Sequence, residues 1–523
     1  ILEPRESDAM TVRNYPSAFL HGFSHIPTLE QSGPVIVDRG EGIYIFDDQG
    51  RRYLEGNSGL WNVVLGFDNP ALVEAAQQAY GKLTAYHAFF GRVTQSALDL
   101  AERLARIAPM EAERVFFTNS GSEANDTVVK LLWFLAEAEG KPHRRLLLSR
   151  KNAYHGMTIM TSSLTGKDYV RSASGLPLPE VRHLTCPHFW REGQPGESEE
   201  EFSARLALEL EQTIRNTGPE FFAGFFAEPV LGAGGVIPPP KGYFQAIQAV
   251  LRKYGVPLIA DEVICGFGRT GRFWGSLTYD IEPDIVVASK VITGGFFPMG
   301  AIVLSPAMSQ RVDKAAAAID ELPTGFTTGG HPVGCAIGLA VLDQLLDGGV
   351  FANVEQVAPL FQKRLAAMAD HPLVGERELD RGDARIVAPV HQRAPGERRL
   401  GGAGEAGLDA VEVQPGEDHV EPLDPGPIFP AHALGAPHAL GHHPVELVEA
   451  GEPVALGEQG GDAVHQRQHV GDALDGARPE QIEELIVERA RAPRPRGRLR
   501  RGAGAGEEGG ALAHRAVNGR QAH

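Results

Sequence analysis

The sequence predicts an α/β fold, a mainly parallel sheet with helices on both faces. Short apolar strands alternate with helix-length segments along most of the chain, the pattern of repeated βαβ units. The strands are near-continuously apolar, as strands buried on both faces must be. Two of them, Val256–Ala260 and Asp284–Ala288, run directly into chemistry-bearing residues, Asp261-Glu262 and Ser289-Lys290. At 523 residues the chain is long enough for two or more domains.

The elements follow in order. Gly42–Phe46 and Arg52–Leu54 flank Asp47-Asp48-Gln49-Gly50 and read as a small hairpin. Asn57-Ser58-Gly59-Leu60-Trp61 comes next, with Trp61 either in the core or at a site. Helices are expected over Ala71–Leu83 and Thr94–Ile107, the second with an apolar stripe at Ala97, Leu100, Ala101, Leu104 and Ile107. The aromatic cluster Tyr86–Phe90 lies between them. Arg114–Thr118 is a strand, and Asn119–Asn125 turns into a helix reaching Ala138. A glycine-bearing turn at a helix start collects unpaired N–H groups and the positive dipole end, so Gly121 and Ser122 suit a phosphate; Ser122 is also a candidate cap. Strand Arg145–Ser149 leads to Asn152–Thr158. The polar stretch Glu180–Gly218 reads as an excursion holding one helix, Ser198–Arg215, opened by a Ser198/Glu201 capping box. Ala223–Val230 is a buried strand containing Glu228, and Gly242–Tyr254 is a helix. Past Lys290, Phe297–Ala301 leads into another strand, Gly325–Pro332 is a loop, and helices start near Val333 and at Phe351.

Charge and composition narrow the function. A net charge of −18 and a pI near 5.5 argue against nucleic acid or an anionic membrane as the main partner. No apolar run reaches a membrane span, and the first residues lack the basic and apolar regions of a signal peptide, so the expected location is cytoplasmic. Cys186, Cys265 and Cys335 are odd in number and widely spaced, as free thiols in a reducing compartment would be, and no metal site is expected.

An acid able to hold a pyridinium nitrogen and a lysine able to hold an aldehyde are the protein groups that pyridoxal phosphate chemistry most needs. Gly266-x-Gly268-x-x-Gly271 matches a dinucleotide fingerprint only in spelling. Acids interrupt its approach and no helix follows, so that reading is rejected.

The strings DEVICGFGRTG (from Asp261), SKVITGG (from Ser289), SGSEAND (from Ser120), the Tyr154-His155-Gly156 triplet and GFTTGGHP (from Gly325) resemble the class III aminotransferases. These are fold-type I pyridoxal phosphate transferases with a smaller C-terminal domain, and the branch includes amine and omega-amino-acid:pyruvate transaminases. The resemblance implies Lys290 as the cofactor lysine and Asp261 as the acid on the ring nitrogen. It implies Gly121, Ser122 and Thr327 on the phosphate, Tyr154 and Val263 on the two ring faces, and Glu228 fixing the nearby loop. Leu60, Trp61, Phe89 and Phe90 would line the substrate pocket, with Phe89, Phe90 and Thr327 serving a second subunit of a homodimer. The expected reaction takes an amino group from an amine or omega-amino acid, long-chain amines included, to pyruvate or a similar 2-oxo acid. A mutase or racemase of the same family, or a non-catalytic chain, are the alternatives.

The expected divisions are 1–62, an N-terminal segment; 63–329, the cofactor domain; 330–376, connecting helices and the start of the small domain; and 377–523, a tail unlike the family. From Arg377 onward the sequence has no Lys, Ser, Thr, Tyr, Trp, Met or Cys and a single Phe, Phe429. Natural disordered tails favour Ser and Lys. A reading-frame change near the codon for Arg377 explains their absence; a true low-complexity extension is the alternative. No arginine in the tail matches the one that binds substrate carboxylates in the family.

Overall fold

A seven-stranded sheet organises the computed structural model, which describes residues 18–367 and the short strands Val374–Glu376 and His391–Gln392. The predicted tail therefore lies almost wholly outside the described residues. The N-terminal region forms a separate antiparallel meander of β1 (Val37–Glu41), β2 (Tyr44–Asp47) and β3 (Arg52–Leu54). The expected hairpin is β2–β3, and β1 is an addition. Its turn is held by Asp47, which accepts from the amides of Gln49 (3.0 Å) and Arg51 (2.9 Å) and from the Tyr53 hydroxyl (2.9 Å).

The large sheet comprises β4 (Arg114–Thr118), β5 (Leu146–Arg150), β6 (Val181–Leu184), β7 (Phe222–Ala227), β8 (Leu258–Asp261), β9 (Ile285–Ala288) and β10 (Gly300–Leu304), in the spatial order β4-β10-β9-β8-β7-β5-β6. All run parallel except β10, which is antiparallel to both its neighbours. The expected α/β architecture is thus present, with this one reversed strand. The edge strand β6 was not anticipated. It sits in the stretch read as a polar excursion because Arg182 is exposed and His183 only partly buried, while Val181 and Leu184 are covered.

Alternation along β9 shows why both faces need helices. Ile285 and Val287 pack with the Gly121–Ala138 and Pro306–Ala317 helices, whereas Val286 and Ala288 pack with helices Pro70–Lys82, Gln95–Ile107 and Pro332–Asp347. The stripe read from the sequence of Gln95–Ile107 is the buried one, through Ala97, Leu100 and Leu104. Truncating a fully buried leucine such as Leu100 to alanine costs roughly 2–5 kcal/mol. Helix ends differ from the sequence reading by a residue or two, and Ser198 and Glu201 do form the capping box. The Pro332–Asp347 and Val350–Ala366 helices are separated by Gly348-Gly349, with Gly349 at φ 73°.

Candidate active site

Neighbouring parallel strands deliver an acid and an amine to one edge of the sheet. β8 ends on Asp261, in register with Val287 of β9, and Lys290 opens the turn just past the end of β9. That is the carboxyl end of the strands, where α/β sheets hold their ligands. Asp261 is only 2% exposed, so its carboxylate needs donors. Oδ2 accepts from Asn125 Nδ2 at 2.7 Å and from His155 Nδ1 at 2.8 Å, and Oδ1 accepts from the Val263 amide at 3.1 Å. Asn125 is itself oriented by a second bond, to the His155 carbonyl at 2.9 Å. Oδ1 keeps capacity for one further donor.

Lys290 has φ 52°, a left-handed conformation strained for a lysine. Its Nζ donates to the carbonyl of Leu60 at 3.3 Å. Burial pushes the amine's pKa down from its ordinary value; the charge of Asp261 opposes this and that of Arg269 adds to it. An amine moved toward neutrality is a better nucleophile.

The phosphate-suited turn is built as its sequence implied, with one correction. Ser120, not Ser122, caps the helix: its Oγ accepts from the Glu123 amide at 3.1 Å, and Glu123 reaches back to the Asn119 amide at 2.7 Å. Ser122 Oγ instead accepts from the Met157 amide at 3.1 Å. The amides of Gly121 and Ser122, at the start of an 18-residue helix, have no intrahelical acceptor. A Cβ on Gly121 would lie 2.9 Å from Cγ2 of Val263, so only glycine lets the backbone rest against that side chain.

Glu228, buried just past β7, ties two loops together. Its Oε1 accepts from the Tyr154 amide and its Oε2 from the Gly232 amide, both at 2.9 Å. Burial raises the pKa of Glu228, and also that of the Tyr154 phenol. Glu262 points away from Asp261 and takes the amides of Gly275 (2.9 Å) and Ser276 (2.6 Å) and the Ser276 hydroxyl (2.6 Å); burial pushes its pKa up to about 7 against these bonds.

The expected pocket residues fall into two groups. Leu60 and Trp61 belong to the segment over Lys290; Leu60 is 64% exposed, while Trp61 packs on Val230, Val236 and Cys265. Phe89 lies against Gly325, close in sequence to the exposed Thr327, and Phe90 is 87% exposed. That second group reaches the helix start through Thr328 Oγ1, which donates to Asn119 Oδ1 at 2.7 Å. Neither Phe90 nor Thr327 bonds to Asp261 or Lys290 within one chain. A cavity of about 510 Å³ lies to one side of this site, between Gly266–Thr270 and the Val350–Ala366 helix; Trp61 and Arg269 line it, but Asp261 and Lys290 do not.

Sequence reasoning passed over Asn125 and left His155 as a neighbour of Tyr154. Asn125 carries no sequence signal of its own: its full burial one turn past Gly121, on the side of the helix that carries Ala124 and Val128 into the core, shows only in the structure. Among the described residues no cluster of His, Cys, Asp and Glu could hold a metal, and no single helix is long and apolar enough to cross a membrane.

The class III aminotransferase family model matches residues 27–377. The chain belongs to the class III aminotransferases. This family uses pyridoxal phosphate, and the match ends where the composition of the chain changes. Similar proteins include the chloroplastic gamma aminobutyrate transaminase 3 of Solanum lycopersicum, 45% identical over 66% of each chain. A probable mitochondrial gamma-aminobutyrate transaminase 2 of Oryza sativa subsp. indica is 44% identical over 72% of this chain and 75% of its own. Among solved structures, a PMP-bound aminotransferase from Vibrio fluvialis is 57% identical, with a TM-score of 0.67 over 69% of this chain and 79% of its own. An omega-aminotransferase from Paracoccus denitrificans is also 57% identical, at a TM-score of 0.68 over 69% and 80%. This class III aminotransferase spans about two thirds of the length of several of the curated relatives it matches.

The residues present fit pyridoxal phosphate. Asp261 Oδ1 can accept from a ring nitrogen, the Gly121 and Ser122 amides are available to a phosphate, and the close contact of Gly121 with Val263 keeps side chains out of the space between helix start and strand end.

Proposed function

We propose that the chain transfers an amino group from an amine or omega-amino acid to a 2-oxo acid such as pyruvate. The observation that carries this is the pairing of Asp261, fixed by three donors, with Lys290 at the ends of adjacent strands. Bound pyridoxal phosphate supplies an electron sink conjugated to the carbon that loses its proton. Asp261 would accept from a protonated ring nitrogen, and His155 and Asn125 keep that carboxylate aimed. Lys290 would hold the cofactor through its amine, and the same amine, just past the end of β9, would be the group that carries a proton to or from the substrate carbon. Gly121 and Ser122 anchor the phosphate. Tyr154 and Val263 cover the ring, and Glu228 holds the Tyr154 backbone in place.

The names of the relatives and of the solved structures support an omega-amino donor. Leu60, Trp61, Phe89 and Phe90 give the pocket an apolar, aromatic character suited to amines. The exposure of Thr327 and Phe90 in a single protomer supports a homodimer in which both serve the other subunit's site.

Lys290→Ala tests the assignment. The wild-type chain with pyridoxal phosphate should show visible absorbance that an amine donor removes and pyruvate restores, and the variant should show neither the band nor turnover. Turnover retained by Lys290→Ala refutes the proposal.

A further inference from the structure

The turn facing Lys290 has a backbone that ordinary residues avoid. Ser58, Gly59, Leu60 and Trp61 have φ values of 49°, 64°, 93° and 68°, and three of these four carry side chains for which that region is strained. Such a run persists only where its surroundings over-determine it. From one side, Glu55 accepts from the amides of Asn57 (3.2 Å) and Gly59 (2.5 Å). On the other, two successive carbonyls accept from side-chain nitrogens: Leu60 from Lys290 Nζ at 3.3 Å and Trp61 from Arg269 Nη2 at 3.1 Å.

Arg269 is the more extensive of these ties. Its Nε donates to the Ile264 carbonyl at 3.2 Å, and its guanidinium carbon lies 5.1 Å from the centre of the Trp61 ring. Among the described residues it forms no ion pair with a carboxylate. A mostly buried guanidinium satisfied by two carbonyls and an aromatic face depends on all three keeping their positions.

We propose that Arg269 is a positioning residue whose fork locks the left-handed turn so that the Leu60 carbonyl meets the amine of Lys290. The inference rests on reading Lys290 as the cofactor lysine. The charged groups acting on Lys290 are Asp261, which favours its protonation, and Arg269, which opposes it together with burial. Fork and charge are separable: lysine at position 269 keeps a cation but cannot span the Ile264 and Trp61 carbonyls, whereas glutamine loses both.

The test uses the full chain without added cofactor. Hydrogen exchange of the Asn57–Val63 amides, read by mass spectrometry, reports the turn. The pH dependence of Lys290 acetylation by acetic anhydride reports the amine. In Arg269→Gln, exchange in that segment should rise about tenfold, the factor expected for losing one charge-assisted hydrogen bond, and the acetylation midpoint should lie at higher pH than in Arg269→Lys, because both variants lose the fork and only glutamine loses the charge. In Arg269→Lys, exchange should also rise. Wild-type exchange over Asn57–Val63 in Arg269→Gln overturns the proposal. A rise spread evenly over the central strands also overturns it, because that marks general destabilisation. The exchange data read Arg269 independently of Lys290→Ala, so the functional reading can fail on its own.

Discussion

Asp261→Asn is the substitution for which the geometry gives the sharpest expectation. In the wild type Oδ2 faces two donors, Asn125 Nδ2 and His155 Nδ1, and Oδ1 faces one, the Val263 amide. An asparagine has a single oxygen. Placing it toward Asn125 and His155 saves two bonds and turns the new NH2 group toward Val263 and the ring-nitrogen side. Stability then falls by roughly 1–3 kcal/mol, the cost of one unsatisfied buried donor, and the fold survives. The chemical cost is larger, because the group facing the ring nitrogen changes from acceptor to donor. Losing a charge-assisted bond and adding a donor–donor conflict amounts to ~3–4 kcal/mol, a slowing of about 10²–10³-fold. Stopped-flow absorbance of the half-reaction with an amine donor, beside a thermal melt, measures both effects. A half-reaction rate within threefold of wild type, with cofactor bound, would show that Asp261 does not act on the ring.

Gly121→Ala should weaken cofactor affinity by about tenfold or more and also lower the melting temperature, since the new methyl meets Val263 at 2.9 Å beside the phosphate amides and overpacking costs roughly 1–3 kcal/mol; titration of the apo-protein with pyridoxal phosphate and a thermal melt read the two effects. Glu262 should make stability depend on pH. Its pKa is raised from 4.5 to about 7 on folding, so the folded state retains a proton that the unfolded state has lost. The resulting stabilisation is full below about pH 4.5 and disappears as pH rises through about 7, a swing of ~3 kcal/mol. Denaturant melts at several pH values should show that slope in wild type and lose it in Glu262→Gln.

Asp261 and Lys290 were legible because each follows an apolar strand directly, and a buried strand that ends in a charge leaves few places for that charge except a site. Gly121 was legible from a strand, a glycine turn and a helix start in succession. Asn125 and His155 were harder. Their meaning comes from contact with Asp261 across more than a hundred positions of sequence, and neither residue has a local pattern that names its partner. The cap went to Ser120 because the serine whose Oγ reaches the N3 amide is the one still in extended backbone, at φ −157°. Strand β6 was missed because an edge strand is solvated along one side, and Arg182 and His183 obscure its apolar pattern. Arg269 drew no notice within its glycine-rich string, since its role depends on carbonyls at Trp61 and Ile264 that no side-chain reading displays.

The single reversed strand imposes an order of construction. β4, which leads straight into Gly121, pairs among the described residues with one neighbour only, β10, and β10 is the last strand of the large sheet to leave the ribosome. Until Gly300–Leu304 has been synthesised, β4 has no strand to join, although β5 to β9 can already assemble beside one another. The half of the site that presents Asp261 and Lys290 can thus take shape before the half that presents the Gly121 amides. A growing chain cannot offer a complete seat for the cofactor until the whole sheet has been made.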